Sequence, residues 1–216
     1  MGNGYNATVQ SILDFAGADK VLSFDLETLV ADSGGFLNNE RIIAISASYG
    51  FPEINDRIFI SKKYPESDEI NLLRDFDTLL KEVSPEIIIG YNHSGYDIPL
   101  IQKKLRSLTI QERLRNIEYY FATSYCLDMM YVIADDLKEK TGEYIIRKLD
   151  NVVTHKAYSH LDLRRVKDRV FLPGLNKGES IKKLWLEDKG KLIEYALGDS
   201  HDILVIFNDI FGSKSS

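Results

Sequence analysis

Residues 86–92, EIIIGYN, limit what this chain can fold into more than any other stretch. Three consecutive isoleucines leave no face for water, so the segment reads as a short strand buried on both sides. A strand of that kind needs helices above and below it, and the flanks supply them. Upstream, residues 67–85 read as a helix: Ser67 is placed to cap it, Ile70, Leu73, Phe76, Leu80 and Val83 keep helical spacing, and Pro85 stops it. Downstream, YDIPLIQKKLRSL opens a second helix, with Pro99 tolerable in its first turn. SYCLDMM then leads from a strand into the helix MMYVIADDLKEK. Ahead of all this, residues 20–27, 41–50 and 56–61 read as three strands, and their connections allow an antiparallel meander. The connection at 28–40 is marked as a loop by Gly34, Gly35, Asn38 and Asn39.

Residues 1–19 read as a preamble, 141–180 as irregular and basic, and about 189–211 as a final amphipathic helix. Strands followed by alternating helix and strand predict an α/β layer arrangement with a mixed sheet. No repeat or linker divides the chain, so a single domain is expected over residues 1–216.

Composition narrows the function classes. With 216 residues, 44% hydrophobic and 28% charged, the chain supports a full core. No run approaches the roughly 18 apolar residues of a membrane span, and the N-terminus lacks the pattern of a secretory signal. Cys126 is the only cysteine, so disulfides and thiolate zinc sites within the chain are excluded and a reducing, cytoplasmic setting is the expectation. The net charge of −6 argues against a protein that coats nucleic acid generally. Its distribution is uneven: residues 138–191 carry fourteen Lys and Arg against eight Asp and Glu. An acidic body with one basic flank suits a protein that holds cations in one place and a polyanion beside it. A solvated surface accounts for the same counts.

Three short stretches carry chemistry. In VLSFDLE, Asp25 and Glu27 are two apart on a strand and so share a face, where like charges repel unless a cation or water lies between them. In IIIGYNHSGYDIPLI, Asp97 follows the buried strand and opens a helix. A helix cap explains the aspartate, but not Asn92 or the aromatic pair Tyr91 and Tyr96 beside it. In LIEYALGDSHDILVIF, Tyr195 and Asp199 lie four apart on one helical face that continues through Asp202. Each stretch has a bland explanation on its own.

Together, and in this order, they resemble a known pattern. FDLET resembles the first motif of the DEDD superfamily of 3′–5′ exonucleases, NHSGYD the second, and YALGD the third motif of the tyrosine-bearing subgroup. A histidine-bearing subgroup fits poorly, because Glu194 stands where that histidine would be. The closer resemblance, over roughly residues 20–210, is to the proofreading exonuclease domain of archaeal-type family B DNA polymerases, here as a standalone unit. It implies a ribonuclease H-like fold, a five-stranded mixed sheet flanked by helices. It implies two divalent cations, Mg²⁺ or Mn²⁺, held by Asp25, Glu27, Asp97 and Asp199, with Tyr195 holding the attacking water. By the same analogy Asp25 bridges both ions, Glu27 and Asp199 complete the first, and Asp97 serves the second. Thr28 and Leu29 occupy the places that contact the terminal sugar and base, and Asn92 sits beside the scissile region.

Tyr91, Tyr96 and Phe36 are candidates for stacking bases, with ordinary packing as the alternative. Arg147, Lys148, Lys156, Arg164, Arg165, Lys167 and Arg169 are candidates for tracking phosphates. Asp128 reads as a helix cap, Asp202 as surface, and Trp185 as packing under the last helix. His155 and His160 have no cysteine partner for zinc. The implied activity is removal of nucleoside 5′-monophosphates from single-stranded 3′ ends, DNA before RNA, in proofreading or DNA repair. Replication or repair proteins are the partner class such a role brings. A ribonuclease or endonuclease on the same fold, or an inactive nucleic-acid-binding module, are the rivals. Oligomeric state is not legible.

Overall fold

The computed structural model describes residues 3–30, 40–50, 52–62, 68–164 and 175–212. Its centre is a five-stranded sheet in the order β3-β2-β1-β4-β5. The strands are β1 (Val21–Val30), β2 (Glu40–Tyr49), β3 (Asn55–Ile60), β4 (Ile87–Gly90) and β5 (Tyr125–Asp128). β1, β2 and β3 form the antiparallel meander, and β4 and β5 run parallel to β1. The sheet is therefore mixed, and helices cover both of its faces.

One face is filled by Leu22, Phe24 and Leu26 of β1 against α2 (Glu69–Val83), α3 (Asp97–Arg106) and α4 (Arg115–Thr123). α4 carries no strong capping signal and was not anticipated. The other face receives α5 (Met129–Thr141), the short α6 (Leu149–Val153), α7 (Lys177–Glu187) and α8 (Lys189–Gly212). The preamble is largely a helix, α1 (Asn3–Ala16), whose Val9 is fully buried beside α8 residues. α2 begins one residue after Asp68, and Ser67 lies outside the described residues.

Two departures from the sequence reading matter for the site. β1 continues three residues past Glu27, and a register shift follows that residue: Glu27 pairs with Ala44 but Thr28 with Ile42. Ile43 is thus an extra residue on β2, a bulge that resets which side the strand ends face. α8 is also buried on the polar face of the expected amphipathic helix. It runs beneath the sheet, and Tyr195, Asp199 and Asp202 are all buried. A helix hydrophobic most of the way round belongs in a core, and the interleaved apolar residues from Leu192 to Phe211 carry that signal.

β1 pairs with β4 only from Val21 to Ser23, opposite Ile87 to Ile89. β4 then stops, which leaves that edge of β1 open from Asp25 onward. Residues 91–96 turn back there. Asp128, the N-cap of α5, shapes this turn: its carboxylate accepts bonds from the amides of Met130, Asn92 and Ser94 and from the Ser94 hydroxyl. Asn92 takes a left-handed conformation, φ 59°, which asparagine tolerates better than most residues. Gly90 is required by close approach, since a Cβ there would lie 2.8 Å from His93 Nδ1.

His93 itself is fully buried, with its ring 6.0 Å from that of Phe24. Burial pushes its pKa down to about 4, against the opposing pull of Asp128. The folded protein therefore refuses a proton that the unfolded chain accepts near pH 6.5. We expect stability to be complete above that pH and to fall as the pH drops toward 4, by up to about 3 kcal/mol from this group. Thermal melts of His93→Asn over pH 4–7 should show a shallower acid slope than the parent; an unchanged slope would remove His93 as its source.

Candidate active site

The geometry starts from β1. Asp25 and Glu27 share its face toward α7 and α8, while Phe24 and Leu26 point the other way into the core. α8 passes beneath that face and adds Asp199. One carboxylate oxygen from each of Asp25, Glu27 and Asp199 lies within 4.8 Å of the others. Glu27 and Asp199 are buried and Asp25 is half-buried. Three converging carboxylates in a low-dielectric setting repel one another strongly, and hard oxygen donors so arranged match the ligand set of Mg²⁺ or Mn²⁺.

Asp97 stands at the open edge of β1, as the first residue of α3. It is not a cap: Tyr96 holds the N-cap position, and no side chain caps the helix there. Asp97 is only 4% exposed. Burial, then the charges of Asp25 and Glu27, push its pKa well above the usual carboxylate range. It lies outside the tight group of three and within reach of its field.

Two further side chains complete the arrangement. Tyr195, one helical turn before Asp199, is 1% exposed and packs with Leu29, Ile43 and Trp185. Burial and the neighbouring Glu27, Asp199 and Asp25 raise its hydroxyl pKa far above the ordinary tyrosine value, so it stays protonated. Lys177 opens α7 and was not singled out from the sequence. Its ammonium sits 5.7 Å from the centroid of the Tyr195 ring. Burial would lower its pKa, but Glu27, Asp25 and Asp199 outweigh that and hold it above the ordinary lysine value. Lys177 is exposed to solvent, which screens these charges. The legible signal was NKGE, residues 176–179: Asn176 and Glu179 form a capping box, which fixes the start of α7 at Lys177. Asp150 on α6 also acts on both Lys177 and Tyr195 and was likewise not foreseen.

The remaining candidates fall in different places. Leu29 is buried against Tyr195. Thr28 is half-buried, with its Oγ1 2.8 Å from the Tyr96 hydroxyl. Tyr96 packs partly into the core on the α3 side, and Asn92 is exposed at the turn. Tyr91 is half-buried, and its hydroxyl donates to the carbonyl of Arg147. Phe36, Arg165, Lys167 and Arg169 lie outside the described residues. Arg164 is committed elsewhere: its guanidinium pairs with Asp56 and its amide donates to Asp202 at 2.8 Å. Asp202 is therefore buried and bonded, not a surface group. Trp185 packs against α8 as expected and donates to the Ser61 carbonyl at 3.0 Å.

Residues 16–123 match the model of the family described as DNA polymerase family B, exonuclease domain. The chain belongs to that family. It is 23% identical over 195 residues to a DNA polymerase of Archaeoglobus fulgidus, covering 88% of this chain and 23% of that protein. It is 28% identical over 94 residues to a DNA polymerase of Pyrococcus glycovorans, covering 43% of this chain and 12% of that one. The family B DNA polymerase of Pyrobaculum calidifontis shares the fold with a TM-score of 0.63 at 19% identity, over 88% of this chain and 24% of that structure. The chain thus spans about a quarter, or less, of the length of the polymerases it matches.

If buried, mutually repelling carboxylates are the main strain in the cation-free site, removing one charge should stabilise it. We expect Asp97→Asn to melt higher than the parent in chelator at neutral pH, at about 2–4 °C for each kcal/mol of repulsion relieved. A lower melting temperature would show that Asp97 is a net stabiliser there.

Proposed function

We propose that this chain is a 3′–5′ exonuclease that removes nucleoside 5′-monophosphates from the 3′ ends of single-stranded nucleic acid, with DNA as the preferred substrate. The observation that carries the reading is the convergence of Asp25, Glu27 and Asp199 beside Tyr195 in the fold of a family B exonuclease domain.

The donor set fits hard divalent cations. Asp25, Glu27 and Asp199 would hold one, and Asp97 with Asp25 would serve a second. Bound there, such ions would lower the pKa of water and neutralise charge on the departing 3′ oxygen. The rest of the work belongs to the chain. Tyr195, kept protonated by its surroundings, cannot act as a base; its hydroxyl orients a water by hydrogen bonding. Lys177 brings a positive charge next to the carboxylates, where it would help to draw in an anionic phosphodiester. The walls built by Leu29, Trp185 and the Tyr195 ring restrict bulk water. Thr28, Asn92 and Tyr91 lie on the segments that flank the site and are the candidates for contact with the last nucleotides. Proofreading or repair, with the proteins those processes involve, is the setting this activity suits.

One incubation series tests the reading: end-labelled single-stranded DNA, duplex DNA and RNA, each with Mg²⁺, Mn²⁺ or chelator. Stepwise shortening from free 3′ ends, lost with chelator or with a 3′ block, is the expected result; internal cuts in blocked substrate would replace it with an endonuclease. Asp25→Ala should abolish cleavage while its circular dichroism matches the parent. Tyr195→Phe should slow cleavage about tenfold, the worth of one hydrogen bond, without erasing it. Parental rates in either variant would refute the role given to that residue.

A further inference from the structure

Asp128 is a buried carboxyl group that stands outside the acidic set, and burying one calls for a reason. Capping α5 accounts for a single bond, from the Met130 amide at 3.1 Å. The other three go to the turn that follows β4. Oδ1 also accepts from the Asn92 amide at 2.9 Å, and Oδ2 accepts from both the amide and the hydroxyl of Ser94. Backbone amides only donate, so three of the four bonds have a fixed direction whatever proton the carboxyl group carries. Four bonds occupy its acceptor positions and leave little to offer a cation.

The bonds fall where the chain needs them. Asp128 ends β5 opposite Gly90, the last residue of β4. Past Gly90 the ladder stops, and the amides of Asn92 and Ser94 turn to the Asp128 side chain instead. From there backbone bonds carry the geometry to Asp97. The Tyr96 amide donates to the Asn92 carbonyl at 3.2 Å, and the Ile98 amide donates to the His93 carbonyl at 3.0 Å. The turn and the start of α3 are thus one hydrogen-bonded unit, anchored to Asp128 at Asn92 and Ser94 and closed on either side of Asp97. It has little slack: a Cβ on Gly95 would lie 2.8 Å from Asn92 Oδ1.

We propose that Asp128 is a positioning residue which, through Ser94 and the turn at 92–96, sets where Asp97 stands relative to Asp25, Glu27 and Asp199, and so governs the second cation site. The inference rests on the two-cation reading above. Asparagine separates this role from helix capping. Its oxygen caps as well as that of aspartate, while its amide nitrogen meets the Ser94 donors and cannot accept from them. The test is Mn²⁺ titration by calorimetry, with thymidine 5′-monophosphate present, on the parent, Asp128→Asn, Ser94→Ala and the double variant. The parent should bind two ions. Asp128→Asn should keep the tighter ion within about twofold and weaken the other about tenfold. Ser94→Ala, which loses one bond, should weaken that second ion about threefold. The double variant should be no worse than Asp128→Asn alone, because Ser94 acts through that carboxyl group. Lower melting temperatures with both ions bound as in the parent, or equal weakening of both ions, overturn the proposal. A parent that binds a single ion overturns the two-cation reading, and the proposal with it. If Asp128→Asn does not fold by circular dichroism, Ser94→Ala decides alone.

Discussion

Repulsion among carboxylates is the constraint around which this molecule is arranged. Asp25, Glu27 and Asp199 are brought within 4.8 Å of one another by a central strand and a buried helix, and Asp97 adds a fourth carboxyl group at their edge, its pKa raised by burial and by their charges. Such a group lowers the stability of the chain that carries it unless positive charge is drawn in. Lys177 is a positive charge that the chain provides there. The rest of the fold holds the four acids where they would not otherwise stay. β4 ends early and exposes the edge of β1, and Asp128 ties the intervening turn to the start of α5.

The same logic separates two kinds of buried polar group. Ser48 of β2, Asp56 of β3, and Ser200 and His201 of α8 hydrogen-bond one another, and Arg164 closes on Asp56. That network is paired internally, and its role is to lock α8 under the sheet. At the site the charges are like, and Lys177 opposes them. A network of opposite partners marks structure; a convergence of like charges marks chemistry.

Much of this was legible in the residues. The three-isoleucine strand fixed the layer arrangement, and the meander followed from alternation and short connections. Asp25 and Glu27 could be placed on one face because a strand has a period of two, and Tyr195 with Asp199 because a helix repeats near four. What stayed hidden has a common cause. The bulge at Ile43 depends on pairing between strands and leaves no mark in either strand alone. The burial of Asp202 depends on the Arg164 amide, 38 residues away in sequence. Lys177 gains its place from the position of α7 against α8, although its capping box was there to read. Arg164 and Lys177 both lie in the basic stretch and look alike in the sequence, yet one pairs with a structural aspartate and the other with the site.

α8 joins the site to a distant anchor. It is a single uninterrupted helix of 24 residues. Tyr195 and Asp199 sit in its first half, while Asp209, some 15 Å further along by helical rise, is gripped by Lys140 and His160. The two side chains at the acidic cluster and the Asp209 anchor therefore ride on one continuous element.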